Sequence, residues 1–306
     1  MTFTFVILTY GRPIITGTSI NSLFSNTKIT PSESWIIDDG SSLQMQTALF
    51  NFQGQYSRQD SPINIILCGK NYGVGFSFER AYNIMRAAET DVVCFIESDY
   101  VWRKNWLEDV EAVFEASPYT IAIAGCNHPD MYDRNKTHNE FCKLMVDQFG
   151  RDLSSRKDLY APFTLETKQG PIKVQGVSNS CGCQIVHWKR LKEILKSGDN
   201  TTEIYSTKCY WEHMDRAFHK NGTGSRQFAS DAHMSGTLSF FAEKWMEDNS
   251  IDITKNFGFL DICDYSISQH VAGGGINGKI CPEGTTFITT PAWDNKYLTE
   301  NPRVKK

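Results

Sequence analysis

An α/β fold, built on a mixed, mostly parallel sheet flanked by helices, is the class this sequence predicts. Three observations carry the prediction. Short apolar runs alternate with helix-patterned segments through the first 125 residues, the rhythm of right-handed βαβ units. The run Val92–Ile96 is apolar at every position, as expected of a strand buried on both faces. It ends abruptly in Glu97-Ser98-Asp99. Carboxylates there are poorly explained by packing, whereas the carboxyl ends of such strands are where ligands sit.

The elements follow in order. Phe3–Leu8 is a strand, and Thr9-Tyr10-Gly11-Arg12-Pro13 leads from it into a helix over Ile14–Phe24. Ser34–Ile37 is a second strand, closing in Asp38-Asp39-Gly40-Ser41-Ser42 before a helix over Leu43–Gln53. Asn64–Leu67 is a third strand. Asn71, Gly73 and Gly75 then open a helix over Phe78–Ala88, where glycines let the backbone approach a ligand and the helix start favours anions. Arg80, on the first turns of that helix, is placed to face a phosphate. Trp102–Ala116 reads as an amphipathic helix and Thr120–Ala124 as a buried strand. Residues 127–172 are polar with little periodicity and read as an insertion or acceptor-side loop region. Val174–Val177 and Cys183–Val186 read as strands, and His187–Lys196 as a helix with Gly198 as its C-cap. Trp211–Phe218 reads as a helix with acids three apart, hence on one face. The segment 241–306 reads as an extension packed on a core domain of residues 1–240, itself divided into halves 1–125 and 126–240.

At 306 residues the chain is long enough to bury a substantial core. Its net charge of −4 offers no general attraction to nucleic acid. No apolar run approaches the roughly 20 residues of a membrane helix. The nine cysteines are scattered and odd in number, which suits reduced thiols and a cytoplasmic location.

The motifs Thr9-Tyr10-Gly-Arg12-Pro, Asp38-Asp39-Gly-Ser-Ser, Asn71-x-Gly73 and Glu97-Ser98-Asp99 occur in that order. With Ser180-Cys-Gly182 and Trp211-Glu212-x-x-Asp215-Arg216, then His233-x-x-Gly236, this order resembles GT-A-fold glycosyltransferases of the family-two type. The resemblance runs from about residue 3 to 240 and leaves out 127–172. It implies a nucleoside-diphosphate sugar as donor, a UDP-sugar by family habit. Thr9, Tyr10 and Arg12 would border the base and diphosphate, and Asp39 would accept from the nucleobase while Asp38 supports its loop. Asp99 and His233 would hold Mn²⁺ or Mg²⁺, with Glu97 and Ser98 beside the ribose or metal. Trp211 and Gly182 would border an unspecified acceptor, and Glu212, with Asp215 or His213 as alternatives, would serve as base, with inversion. The position after the acidic-helix glutamate, usually aspartate in inverting members, holds His213. A retaining transferase and a catalytically silent nucleotide- or carbohydrate-binding module therefore stay open. A nucleotidyltransferase is disfavoured, since Thr9–Pro13 is not a glycine-rich, lysine-bearing loop.

Overall fold

A computed structural model describes residues 1–125, 161–176, 183–201, 227–263 and 268–270, together with 146, 150, 207, 208 and 210–212. Its strands are β1 (Phe3–Thr9), β2 (Glu33–Asp38), β3 (Ile63–Leu67), β4 (Val92–Glu97), β5 (Tyr100–Trp102), β6 (Ala122–Ala124), β7 (Phe163–Thr167), β8 (Gly170–Gly176), β9 (Gln184–Val186), β10 (Phe259–Ile262) and β11 (Ser268–His270). Its longer helices are α1 (Pro13–Ser25), α2 (Leu43–Tyr56), α3 (Val74–Ala87), α4 (Trp106–Ala116), α5 (Trp188–Thr201) and α6 (Gln227–Asp248). Nine strands form one sheet in the order β3-β2-β1-β4-β9-β6-β10-β8-β7. The first four are parallel. Antiparallel β9 then joins β4 to β6, and β10 runs parallel to β6 and antiparallel to β8. The fold class expected from the sequence is the one observed.

All seven residues of β1 are buried, so its side chains alternate into two cores. Phe3, Phe5 and Ile7 pack with Ile20 and Leu23 of α1, Met45 and Leu49 of α2, and Trp106, Val110 and Phe114 of α4. Val6 and Leu8 point to the other face, with Phe78, Tyr82 and Met85 of α3, Leu191 of α5, and Phe241 of α6.

Several sequence expectations are corrected. Trp102 belongs to β5, not to a helix. The helix begins at Trp106 because Asn105 takes the left-handed conformation (φ 58°) and its amide donates to Asn26 O at 2.6 Å. Gly198 lies inside α5 rather than at its end. The polar region contains the hairpin strand β7, paired through to β8. Residue 240 falls within α6, and β10 supplies an interior strand from the segment expected to be an extension. Among the described residues no helix is long and apolar enough to cross a membrane.

Candidate active site

The parallel pairing of β1 with β2 and β4 sets Thr9 beside Asp38 and Leu8 beside Glu97. The three motif loops therefore leave the sheet side by side at its carboxyl edge. Backbone bonds hold them there: Asp39 N–H donates to Thr9 O at 3.0 Å, and Ser98 N–H to Leu8 O at 3.0 Å.

Asp38 and Asp39 are both buried but do different things. Asp38 Oδ2 accepts from the Ser41 amide at 3.0 Å, and Ser41 Oγ accepts from the Gly11 amide at 2.8 Å. Asp38 thus reaches the loop before α1 through Ser41, a residue the sequence reading did not single out. Burial, the largest influence, raises the Asp38 carboxyl above its ordinary value against the opposing hydrogen bonds from Ser41. Its Oδ1 is buried without a hydrogen-bond partner. Asp39 Oδ1 accepts from Tyr72 N–H at 3.0 Å and Oδ2 from Gly73 N–H at 2.8 Å. Asn71 Oδ1 accepts from the same Gly73 amide at 2.8 Å. Gly73 is the N-cap of α3 at φ 91°, and Gly40 at φ 77° lets the second loop lie on the Lys70–Asn71 backbone. A Cβ on Gly40 would come within 2.2 Å of Lys70 C, a contact only glycine avoids.

Arg12 is the N-cap of α1 in the left-handed conformation (φ 53°, ψ 58°), followed by Pro13 at the first helical position. Its Nη2 lies 3.1 Å from Asp99 Oδ2, with the two side chains 27% and 12% exposed. Ser98 and Asp99 are buried at the turn after β4, and Glu97 is half-buried. Beyond the turn, β5 pairs with β11 in the register His270 opposite Tyr100. That pairing lays a remote backbone segment along the strand that follows the acidic turn, and nothing in the sequence Ser268-Gln-His270 announced it.

Thr9 is buried at this edge and Tyr10 is half-exposed. Arg80, expected to face a phosphate, lies against the residue that follows β3 and against two rings of the loop before and the start of α3. Its guanidinium lies 4.0 Å from the Phe76 ring and 5.5 Å from the Tyr72 ring, and it donates to Cys68 Sγ at 3.1 Å. It also borders a depression of about 480 Å³ with Trp35, Ile66 and Asn83.

Trp211, expected to border an acceptor, sits in an aromatic cluster. Trp211 packs with Trp188 at the start of α5 and with Arg86 in the last turn of α3. Both belong to the amino-terminal edge of the sheet, because β9 runs antiparallel to β4 and Lys189 N–H donates to Asp91 O. Glu212, next to Trp211, is half-exposed and 4.0 Å from Lys208. Trp211 thus packs on residues from the half of α3 and the start of α5 that lie toward the beginning of β4, and on Tyr82, which stacks on Phe95 of β4. Gly182 and Asp215 lie outside the described residues. His233 falls within α6, and its side chain is likewise outside them.

Comparison with known proteins bears on this edge. An uncharacterized glycosyltransferase of Nostoc sp. is 26% identical over 155 residues, covering 51% of this chain and 45% of that protein. The chain thus spans less than half the length of that relative. A mannosyltransferase from Pyrobaculum calidifontis, solved in complex with GDP-Man and Mn²⁺, is 11% identical with a TM-score of 0.41, covering 81% of this chain and 74% of that one. TarS 1-349 of S. aureus is 14% identical with a TM-score of 0.45, covering 88% of this chain and 60% of that one. The family description Glycosyl transferase family 2 matches residues 4–181, more than half of the sequence and all of the motif loops gathered at the carboxyl edge. The chain belongs to glycosyl transferase family 2.

Proposed function

We propose that the chain transfers a sugar from a nucleoside-diphosphate sugar, a UDP-sugar in the first instance, to an acceptor hydroxyl, with Mn²⁺ or Mg²⁺ held at the turn after β4. The observation that carries this reading is the Arg12–Asp99 pair, 3.1 Å apart, beside the loops that Asp38 and Asp39 fix. A carboxylate for a hard cation and a guanidinium for phosphate then stand at one sheet edge.

The residues fit such a cation. Asp99 offers hard oxygen donors, and a positive group already stands against it. Among the described residues no cluster of three or more His, Cys, Asp or Glu side chains is placed to hold a metal. The donor's phosphate oxygens would complete the coordination. A cation bound there supplies positive charge to the departing nucleoside diphosphate.

The chain's own residues do the rest. Arg12 presents a planar fork suited to phosphate oxygens. Asp39 holds Tyr72 and Gly73 where a base and ribose would lie, and its remaining lone pairs can accept from the base. Glu97 and Ser98 close the site below. In this reading the base that takes the acceptor proton is a residue other than Glu212, because the neighbouring Trp211 packs on Arg86 and Trp188 rather than on the turn after β4. Inversion at the anomeric carbon remains part of this reading, to be checked from the anomeric coupling of the product.

The test is donor turnover without acceptor. A panel of nucleoside-diphosphate sugars is offered with Mn²⁺, Mg²⁺ or chelator, and released nucleotide is measured. Metal-dependent release from one donor, reduced about 100-fold in Asp99→Asn, is expected. No release from any donor, together with no metal-dependent nucleotide binding in calorimetry, would overturn the proposal.

A further inference from the structure

The Arg12–Asp99 contact joins the residue read as a phosphate ligand to the residue read as a metal ligand. Each is held for the purpose. Arg12 sits in a left-handed conformation that costs a residue with a side chain about 1 kcal/mol or more. Gly11 before it is also left-handed, at φ 62°. Pro13 after it fixes the first turn of α1, and Arg12 O accepts from Thr16 N–H at 3.0 Å. The Gly11 amide is tied through Ser41 to the buried Asp38. This backbone has little freedom, so the guanidinium is aimed from a fixed base at a carboxylate that is itself mostly buried.

Such a pair has a consequence for ligand binding. One carboxylate cannot give its full attraction to a guanidinium at 3.1 Å and to a divalent cation at once, because the two positive groups repel each other across it. A diphosphate removes the conflict, since the guanidinium fork fits phosphate as well as it fits carboxylate. We infer that Arg12 couples cation binding to diphosphate binding: it occupies Asp99 when no donor is bound and moves to the diphosphate as the cation takes the carboxylate. This inference rests on the donor-site reading above. Its content is an order of loading: the cation alone binds weakly, and the nucleotide brings it in.

The linkage is reciprocal, so it can be read from the metal alone. Mn²⁺ is titrated into the intact chain and the free ion is followed by electron paramagnetic resonance, first alone and then with saturating UDP or GDP. In the wild type the nucleotide tightens Mn²⁺ binding by about tenfold or more, the usual span of such couplings. In Arg12→Gln, Mn²⁺ alone binds about tenfold more tightly than in the wild type, and the tightening by nucleotide shrinks severalfold. Arg12→Lys, which keeps the charge, retains weak binding of Mn²⁺ alone. Arg12→Gly serves if the glutamine variant folds poorly, because glycine takes the left-handed conformation without a steric penalty. Mn²⁺ affinity in Arg12→Gln or Arg12→Gly equal to or below that of the wild type, with nucleotide coupling intact, overturns the inference and leaves the donor site standing. Absence of Mn²⁺ binding in the wild type with either nucleotide removes the donor-site reading, and this inference with it.

Discussion

Asp39→Asn isolates what a buried carboxylate does for the site's architecture. In the native chain its two oxygens accept from the Tyr72 and Gly73 amides at 3.0 and 2.8 Å. Asparagine keeps one acceptor and puts an NH₂ donor against the other amide. One charge-assisted hydrogen bond is lost, worth about 1.5–3 kcal/mol. The side chain will turn its oxygen toward Tyr72, because the Gly73 amide keeps a second acceptor in Asn71 Oδ1 at 2.8 Å. The cost therefore falls near the lower bound, about 2 kcal/mol, which lowers the melting temperature by about 4 °C in a chain of this size. Asn71→Ala alone removes only the spare acceptor of an exposed side chain and costs about 0.5 kcal/mol. In the double variant the Gly73 amide loses both acceptors, so the two costs exceed their sum by about 1 kcal/mol. Urea unfolding followed by circular dichroism measures all three variants. An additive double variant, or Asp39→Asn within 0.5 kcal/mol of wild type, would refute the shared-amide reasoning.

Two further predictions follow from other parts of the chain. Glu212→Gln should leave donor turnover within about twofold of wild type, because the neighbouring Trp211 packs on Arg86 and Trp188 rather than on the turn after β4; a loss comparable to that of Asp99→Asn would return it to the reacting centre. His187 is held near pKa 4 by burial first and by the charge of Arg190 second, and its Nδ1 accepts the Arg190 amide at the start of α5. The neutral ring is therefore the native form, while the unfolded chain takes up the proton at about 6.5. Stability is full above pH 6.5 and falls as the pH drops toward 4, by up to about 3 kcal/mol. His187→Asn, an uncharged side chain able to cap the same helix, should flatten that part of the unfolding profile, and an unchanged slope would count against it.

What the sequence revealed and what it concealed divides along physical lines. Val92–Ile96 was legible because burial on both faces leaves an unbroken apolar run. The segment from Trp102 was misread because Trp102 and Trp106, four residues apart with rings 4.3 Å apart, mimic a helical stripe. The left-handed Asn105 between them has no periodic signature. Phe163–Thr167 does alternate in burial, yet the polar stretch around it hid that pattern. In β10 the buried Asp261 interrupts the apolar run, and the distant Gln175, donating at 3.2 Å, helps make that acid tolerable in the sheet.

The site divides in the same way. Asp38 as the support of its loop and Gly73 at the start of a helix were legible because local chemistry governs them: a short carboxylate accepts from an amide a few residues away, and a glycine takes backbone conformations closed to other residues. Arg12 with Asp99 was visible only as two separate candidates, since their pairing spans 87 residues and depends on β1 lying beside β4. The packing around Glu212 was not legible for the converse reason. Acids at helical spacing beside a tryptophan specify a helix face but not which end of the sheet it covers. That is decided by Trp211 settling among Tyr82, Trp188 and Tyr210, an aromatic cluster assembled from three separate elements. Loops that follow the strands of βα units can be read from local motifs, because each loop inherits its place from the strand before it. Segments formed by helices and late strands carry no such address, and here the place of Trp211 had to come from tertiary packing.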